Sequence, residues 1–206
     1  MTARELIRLA PVAVLLLAGC QALPRAVPPV ADGTPAAEAF DARRTQLAAL
    51  DAWTLRGRSA LSARGRGWNG SVHWHQSADY IDLRLIAPLG AGTLRLTGLP
   101  EYMRIRASDG TDFYTPDPAG DLEAALGAPL PIGALRWWIL GIPLPDVAVE
   151  ALDLDAAGRA TAFMQEGWHV TYPRYTEHDG FVVPGIVAAE RDGAKIRVVV
   201  DQWSAQ

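Results

Sequence analysis

A chain of 206 residues has material for one sizeable core and too little to argue for several domains. Half of its residues are hydrophobic and a fifth are charged, which excludes a disordered chain. A formal net charge of −4 excludes a nucleic-acid footprint and offers no polybasic membrane patch, and the arginine excess (Lys195 is the only lysine) is given no function.

Residues 1–20 read MTARELIRLAPVAVLLLAGC. Arg4 and Arg8 form a positive start. The apolar run from Leu9 to Leu17 is too short to span a bilayer comfortably, so it reads as a secretory signal and not a transmembrane anchor. Leu17-Ala18-Gly19-Cys20 resembles a bacterial lipobox, in which a peptidase cuts before a cysteine that already carries diacylglycerol. Ala18 and Gly19 are small enough for a peptidase cleft, and Cys20 supplies the sulfur. Cys20 is the only cysteine. A lone thiol makes no intramolecular disulfide, so lipidation is its best use, and several acyl chains give stable anchoring. The alternative is a stray cysteine behind an ordinary signal peptide. Removal of residues 1–19 takes away Arg4, Glu5 and Arg8 and leaves the mature chain one charge more acidic. The next residue is Gln21 and not the aspartate that resembles an inner-membrane retention signal, so the implied destination is the outer membrane. Residues 20–37 are then a lipidated cysteine and a tether carrying Pro24, Pro28, Pro29 and Pro35. Residues 38–206 are the folded domain.

Residues 38–50 carry Phe40, Leu47 and Leu50 at helical spacing, which predicts an amphipathic helix lying on a sheet. Period-two alternation follows. Trp53, Leu55 and Leu61 oppose Arg56 and Arg58. Trp68, Val72 and Trp74 oppose Asn69, Ser71, His73 and His75. Ile81, Leu83 and Leu85 oppose Asp82 and Arg84. At Ala87-Pro88-Leu89-Gly90-Ala91-Gly92 the pattern breaks. Pro88 lacks a donor and the glycines permit left-handed turns, so this stretch joins two strands. Its side chains are almost all apolar, although a loop tip normally meets water. On the residues alone, Leu89 is either aimed at lipid or a partner, or folded back onto the core.

Leu94 and Leu96 resume the alternation, Met103 and Ile105 continue it over Tyr102–Ala107, and Asp109-Gly110 marks a hairpin. Pro118–Leu126 and residues 132–140 predict two short helices, ended by Gly127 and by Gly141 with Pro143. The second carries Leu135, Trp137, Trp138, Ile139 and Leu140, so it must be buried or cover something apolar. Strands resume at 149–154, Ala160–Gln165, 168–175, 186–191 and 195–203, with turns at Ala157-Gly158, Asp179-Gly180 and Asp192-Gly193. About ten strands with helices early and in mid-chain predict a mainly β, α+β domain, an antiparallel sheet curled around helices on one face. Alternation alone does not tell a solid core from a cavity lining.

No nucleophile elbow, P-loop or dinucleotide fingerprint occurs. His73 and His75 could reach one metal from a strand, but zinc wants a third protein ligand and nothing brings His169 or His178 to them. They read as two solvated histidines. Asp121 and Glu123 are charges near a helix N-terminus rather than a glycosidase pair. The expectation is no enzyme, no metal and no cofactor.

Several stretches occur together in family order. They are Trp53-Thr54-Leu55-Arg56-Gly57-Arg58, Trp74-His75-Gln76, Ala87-Pro88-Leu89-Gly90, Leu130-Pro131-Ile132 leading to Leu135-Arg136-Trp137-Trp138-Ile139-Leu140-Gly141, and Gly167-Trp168-His169-Val170-Thr171-Tyr172. With the lipobox and Asp201-Gln202-Trp203 they resemble LolB, the outer-membrane lipoprotein receptor family. Val183-Pro184-Gly185-Ile186 departs from it, since relatives often carry a basic residue after the proline. The resemblance implies a half-open antiparallel β-barrel of eleven strands or so, with helices covering an apolar cavity. It implies a monomer on the periplasmic face of the outer membrane that accepts lipoproteins from the carrier LolA and places their acyl chains among outer-membrane phospholipid. Leu55, Trp68, Val72, Trp74, Leu83, Leu85, Leu94, Leu96, Met103, Ile105, Leu135 and Trp138 would line the cavity, and Pro88, Leu89 and Gly90 would form a membrane-inserting loop. A structural or assembly lipoprotein without a lipid cavity is the alternative from another class. A lipid hydrolase is a third, for which no nucleophile can be named.

Overall fold

The computed structural model describes residues 33–206. The signal segment, Cys20 and the tether as far as residue 32 lie outside the described residues. Thr34 opens the first helix, α1 (Pro35–Ala48). Its hydroxyl oxygen accepts the Ala37 N–H at 3.2 Å, and Pro35 takes the first turn, where a missing N–H leaves no bond unmade. The last residues assigned to the tether, 35–37, are therefore helical.

β1 (Ala52–Ala63), β2 (Arg66–Ser77), β3 (Tyr80–Ile86), β4 (Thr93–Leu99), β5 (Tyr102–Ala107) and β6 (Asp112–Thr115) form one antiparallel meander. After α2 (Pro118–Leu126) and α3 (Ile132–Trp138) come β7 (Glu150–Leu154), β8 (Ala160–Gln165), β9 (Trp168–His178), β10 (Phe181–Arg191) and β11 (Ala194–Ala205) as a second. Pairing of β1 with β11 fuses the two into one 11-stranded sheet, ordered β6-β5-β4-β3-β2-β1-β11-β10-β9-β8-β7. β6 and β7 are its free edges, so the sheet is open, as a half-open barrel requires.

Two strands differ most from the sequence reading. β6 is too short and too exposed to show a period, with only Thr115 of its four residues buried. β10 begins at Phe181 and not at Ile186, because Pro184 sits where the β9–β10 register shifts. A proline that cannot donate to a ladder is tolerated at such a bulge.

Alternation sorts the side chains as expected. Trp53, Leu55, Val72, Trp74, Ile81, Leu83, Leu85, Leu96, Met103 and Ile105 are buried on the covered face, while their strand neighbours face out. α1 docks near the β7–β8 turn. A Cβ on Gly158 would lie 2.6 Å from the Ala39 Cβ, so only glycine allows that approach. Further along the helix, the Arg43 and Arg159 guanidiniums lie over the Tyr175 ring, at 5.5 and 5.2 Å from its centroid, and Arg43 also donates to the Val182 carbonyl.

α3 packs against the second meander through Trp138, which meets Phe163 and Trp168 edge-on at 6.4 and 6.1 Å. Gln165, only 1 % exposed, fixes the arrangement. Its Oε1 accepts from Trp138 Nε1 (3.0 Å) and the Leu144 N–H (2.9 Å), and its Nε2 donates to the Leu144 and Val147 carbonyls. Replacement Gln165→Leu strands two buried donors and two acceptors. The expected loss is about 2–4 kcal/mol, read as a lower urea midpoint. A midpoint within error of the parent would refute the role given to Gln165.

Candidate functional site

All twelve residues assigned to an acyl-chain cavity point to the covered face. Ten are buried, and Trp68 and Leu94 are half-buried against the core. They do not enclose a chain-sized space. The interior holds a void of about 40 Å³, lined among others by Trp68, Val72, Trp74, Leu83, Leu85 and Leu135. That is room for a few waters, not a lipid tail. Leu55, Leu94, Leu96, Met103, Ile105 and Trp138 lie outside its wall. Leu61, read from the sequence as inward but not assigned to the cavity, also lines the void, as do Leu130, Ile196 and Val198, which sequence reasoning missed. β11 alternates Ile196 and Val198 with Lys195 and Arg197, so those two were within reach of the period-two argument. Leu130 sits in an irregular connector and carried no periodic signal.

The cover over the void is thin. A groove of about 660 Å³ on its outer side is lined by Pro129, Leu130, Pro131, Ile132 and Trp137, and Leu130 borders both groove and void. α2 starts on Asp117, whose carboxylate accepts the Gly120 N–H, and ends on Gly127 with a left-handed φ of 73°. α3 is held at one point of its exposed side, where Arg136 Nη1 lies 2.6 Å from Asp79 Oδ1 on the β2–β3 turn. Arg136 also covers the Trp137 ring at 4.6 Å. Glu123 stands 3.9 Å from Arg64, and Asp121 belongs to the first turn of α2.

The β3–β4 loop points the other way. Leu89 is fully exposed at 107 %, which discards the folded-back reading. Its backbone lies in the left-handed region (φ 55°), which disfavours a leucine by roughly 1–2 kcal/mol. The loop is nonetheless fixed at its base. The Ala87 N–H donates to the Gly92 carbonyl, and Thr93 and Ser108 bond reciprocally at 3.0 Å. Beside it, on the outer face of the sheet, a hollow of about 440 Å³ is floored by Ala60, Ile86, Pro88 and Val199 and rimmed by Arg58 and Arg197.

That outer face changes the charge reading. Composition offered no polybasic patch, but strand register gathers arginines there. Arg56, His73, Arg84, Arg95 and Arg106 face one another in a row across β1 to β5. Arg95 grips Asp82 through two bonds of 2.9 and 2.6 Å, and hydrogen bonding from Arg95 holds the Asp82 carboxyl below its usual range. His73 and His75 lie on this face. Among the described residues no three His, Cys, Asp or Glu side chains come together as a metal site.

Two perturbations probe these features. Asp79→Asn should speed hydrogen exchange of the α3 amides several-fold while lowering stability by less than about 1 kcal/mol, since the Asp79 carboxylate is largely exposed. Unchanged exchange would mean that Arg136 does not pin the cover. Because folded Asp82 stays ionised to a lower pH than unfolded Asp82, its pair stabilises the protein at neutral pH. That contribution is lost as pH falls from about 4 through the lowered value. Asp82→Asn should melt below the parent at pH 7 and converge with it in acid. A gap that persists in acid would contradict the assignment.

Residues 51–203 match the protein family described as "Outer membrane lipoprotein LolB". A protein of Stutzerimonas stutzeri named outer-membrane lipoprotein LolB is 36 % identical over 195 residues, covering 95 % of this chain and 93 % of that one. A protein of the same name from Nitrosococcus oceani is 33 % identical over 190 residues, covering 92 % of each chain. Among solved structures, a LolA-superfamily protein from Nitrosomonas europaea superposes with a TM-score of 0.54 at 7 % identity, over 82 % of this chain and 93 % of that one. At that identity the likeness speaks for the fold alone.

Proposed function

The chain belongs to the LolB family of outer-membrane lipoproteins, and from that premise we propose that it takes up the acyl chains of lipoproteins delivered by LolA and releases them into the inner leaflet of the outer membrane through the Leu89 loop. The observation that carries the reading is the pairing of an aliphatic interior under a thin cover with a fully exposed leucine on a stapled loop. Acyl burial is worth about 0.8 kcal/mol per methylene, so a chain leaves a carrier only when another apolar site meets it. The lining residues named above supply that site. The void of about 40 Å³ has no room for the chain as it stands. Acceptance therefore requires α3 and the Pro129-Leu130-Pro131 connector to move away from the sheet. Leu130 is the side chain the incoming tail displaces, since it borders both groove and void. Pro88, Leu89 and Gly90 act at the other end of the path. Entry of Leu89 into the bilayer disturbs lipid packing where the chains are discharged. No step calls for a nucleotide, a metal or a nucleophile, and a single copy contains every part.

The test is a transfer assay with mature-length protein carrying Cys20→Ser, mixed with a carrier–lipoprotein complex. Lipoprotein should move onto this protein without nucleotide, and from it into added vesicles. Leu89→Glu should accept cargo as the parent does and insert it about tenfold more slowly or worse. If cargo never leaves the carrier, the protein is an envelope-binding module and the receptor reading falls. If Leu89→Glu inserts normally, the loop has no part in the release.

A further inference from the structure

The row of like charges on the outer face is an arrangement the fold itself does not need. Arg84 stands directly opposite Arg95, and Arg95 directly opposite Arg106, while His73 lies between Arg56 and Arg84. Like charges directly opposite on neighbouring strands are destabilising. Only part of the charge is neutralised within the face. Asp82 serves Arg95, Asp112 is shared by Arg104 and Arg106, and Asp201 holds Arg58. Arg56, Arg84 and Arg197 make no ion pair among the described residues. The protein as a whole carries −4, so this face is a local reversal of its overall sign.

The position of the row is as informative as its charge. Arg84 and Arg95 are cross-strand partners, and two residues nearer the chain reversal the paired Ile86 and Thr93 lead into the loop that carries Leu89. At about 3.3 Å per residue the row runs across the sheet some 7 Å from the base of that loop. The hollow rimmed by Arg58 and Arg197 fills the corner between them, with Pro88 of the loop in its wall. A tip of exposed leucine, an apolar shoulder and a band of arginines follow one another on a single face. A bilayer presents the same sequence of chemistries, with acyl chains first and phosphates next.

We propose that the outer-face arginine row, Arg56, Arg84, Arg95 and Arg106, together with Arg58 and Arg197 at the hollow, is a binding surface for the phosphates of anionic phospholipid. It holds the Leu89 loop at the membrane with the covered face and its groove turned away from the lipid. The proposal rests on the membrane role given to Leu89 above. An arginine matches a phosphate with a planar fork of donors, and basic residues near an anionic surface act additively. The surface thus supplies orientation and residence, while the loop supplies penetration.

Mature-length protein with Cys20→Ser would be sedimented with vesicles of phosphatidylethanolamine and phosphatidylglycerol, and separately with vesicles of phosphatidylcholine. Binding to the anionic vesicles should be the stronger by about tenfold and should weaken as salt is raised from about 0.15 M to about 1 M, where the screening length falls to about 3 Å. Arg84→Gln combined with Arg106→Gln should lower anionic-vesicle binding about tenfold or more. It should not lower the melting temperature, because it relieves repulsion. Arg56→Gln alone gives the same direction with a smaller effect should the double variant fail to fold. Arg44→Glu on α1 should bind as the parent does, and Leu89→Glu should keep its salt-dependent attachment. Cargo acceptance from the carrier, measured without vesicles, should be unchanged in the arginine variants. Undiminished vesicle binding in the double variant overturns the proposal, and so does an equal loss in Arg44→Glu, which would make net charge the cause. A loss of cargo acceptance in the arginine variants also overturns it, since the row would then meet the carrier. A parent that binds anionic vesicles but accepts no cargo would refute the receptor reading and leave the lipid surface standing.

Discussion

The pairing of β1 with β11 decides what kind of object this chain becomes. Each meander alone is a sheet with one apolar face and two raw edges. Joined along twelve-residue strands they become a single surface of eleven strands, apolar on one side throughout. Such a face cannot be left to water, and the open edges at β6 and β7 mean the sheet does not cover it by closing on itself. The chain covers it with the segment between the two meanders, α2, the Pro129-Leu130-Pro131 connector and α3, and with α1 from the amino-terminal side. The cover is unequal in strength. Trp138 and Gln165 root α3 deeply in the second meander, whereas toward the first meander it has Leu135 at the void and one ion pair, Arg136–Asp79, whose carboxylate is exposed.

This inequality is what makes a nearly solid interior compatible with a lipid-handling role. With a void of only about 40 Å³, the aliphatic surfaces are packed mostly against one another. The same surfaces become available when a locally weak cover yields, at the expense of the cover's own contacts and not of the sheet. Local opening of this kind draws on the low-stability end of a structure whose core remains intact. The guest then replaces the contacts that the cover had made, so apolar area is exchanged and not exposed.

The opposite face has a different logic. Strand alternation that sends leucines and tryptophans inward necessarily sends their neighbours outward, and here many of those neighbours are arginines. The antiparallel register then aligns them into a row beside the one loop whose apolar tip is exposed. The functions proposed for the covered and outer faces give them separate partners, cargo on one side and membrane on the other. A sheet one residue thick lies between them.

Much of this was legible in the sequence because it is local. The alternation of β1 to β5, both helices of the cover and the glycine-marked hairpins follow from side-chain type and a period of two or 3.6. The family pattern around Leu89 and along residues 130–141 gave the architecture and the role. What eluded the sequence is what depends on contacts between distant residues. β6 and the first half of β10 exist because neighbouring strands pair with them, across too few residues or across a proline bulge. Leu89 was undecided between core and tip until the structure showed its side chain fully exposed. Whether the inward set encloses a cavity or fills it depends on how closely α3 and Leu130 approach the sheet, a distance that no periodicity encodes. The composition gave a chain of net negative charge, and only the cross-strand register, which places Arg84 opposite Arg95 and Arg95 opposite Arg106, turned that average into a basic face.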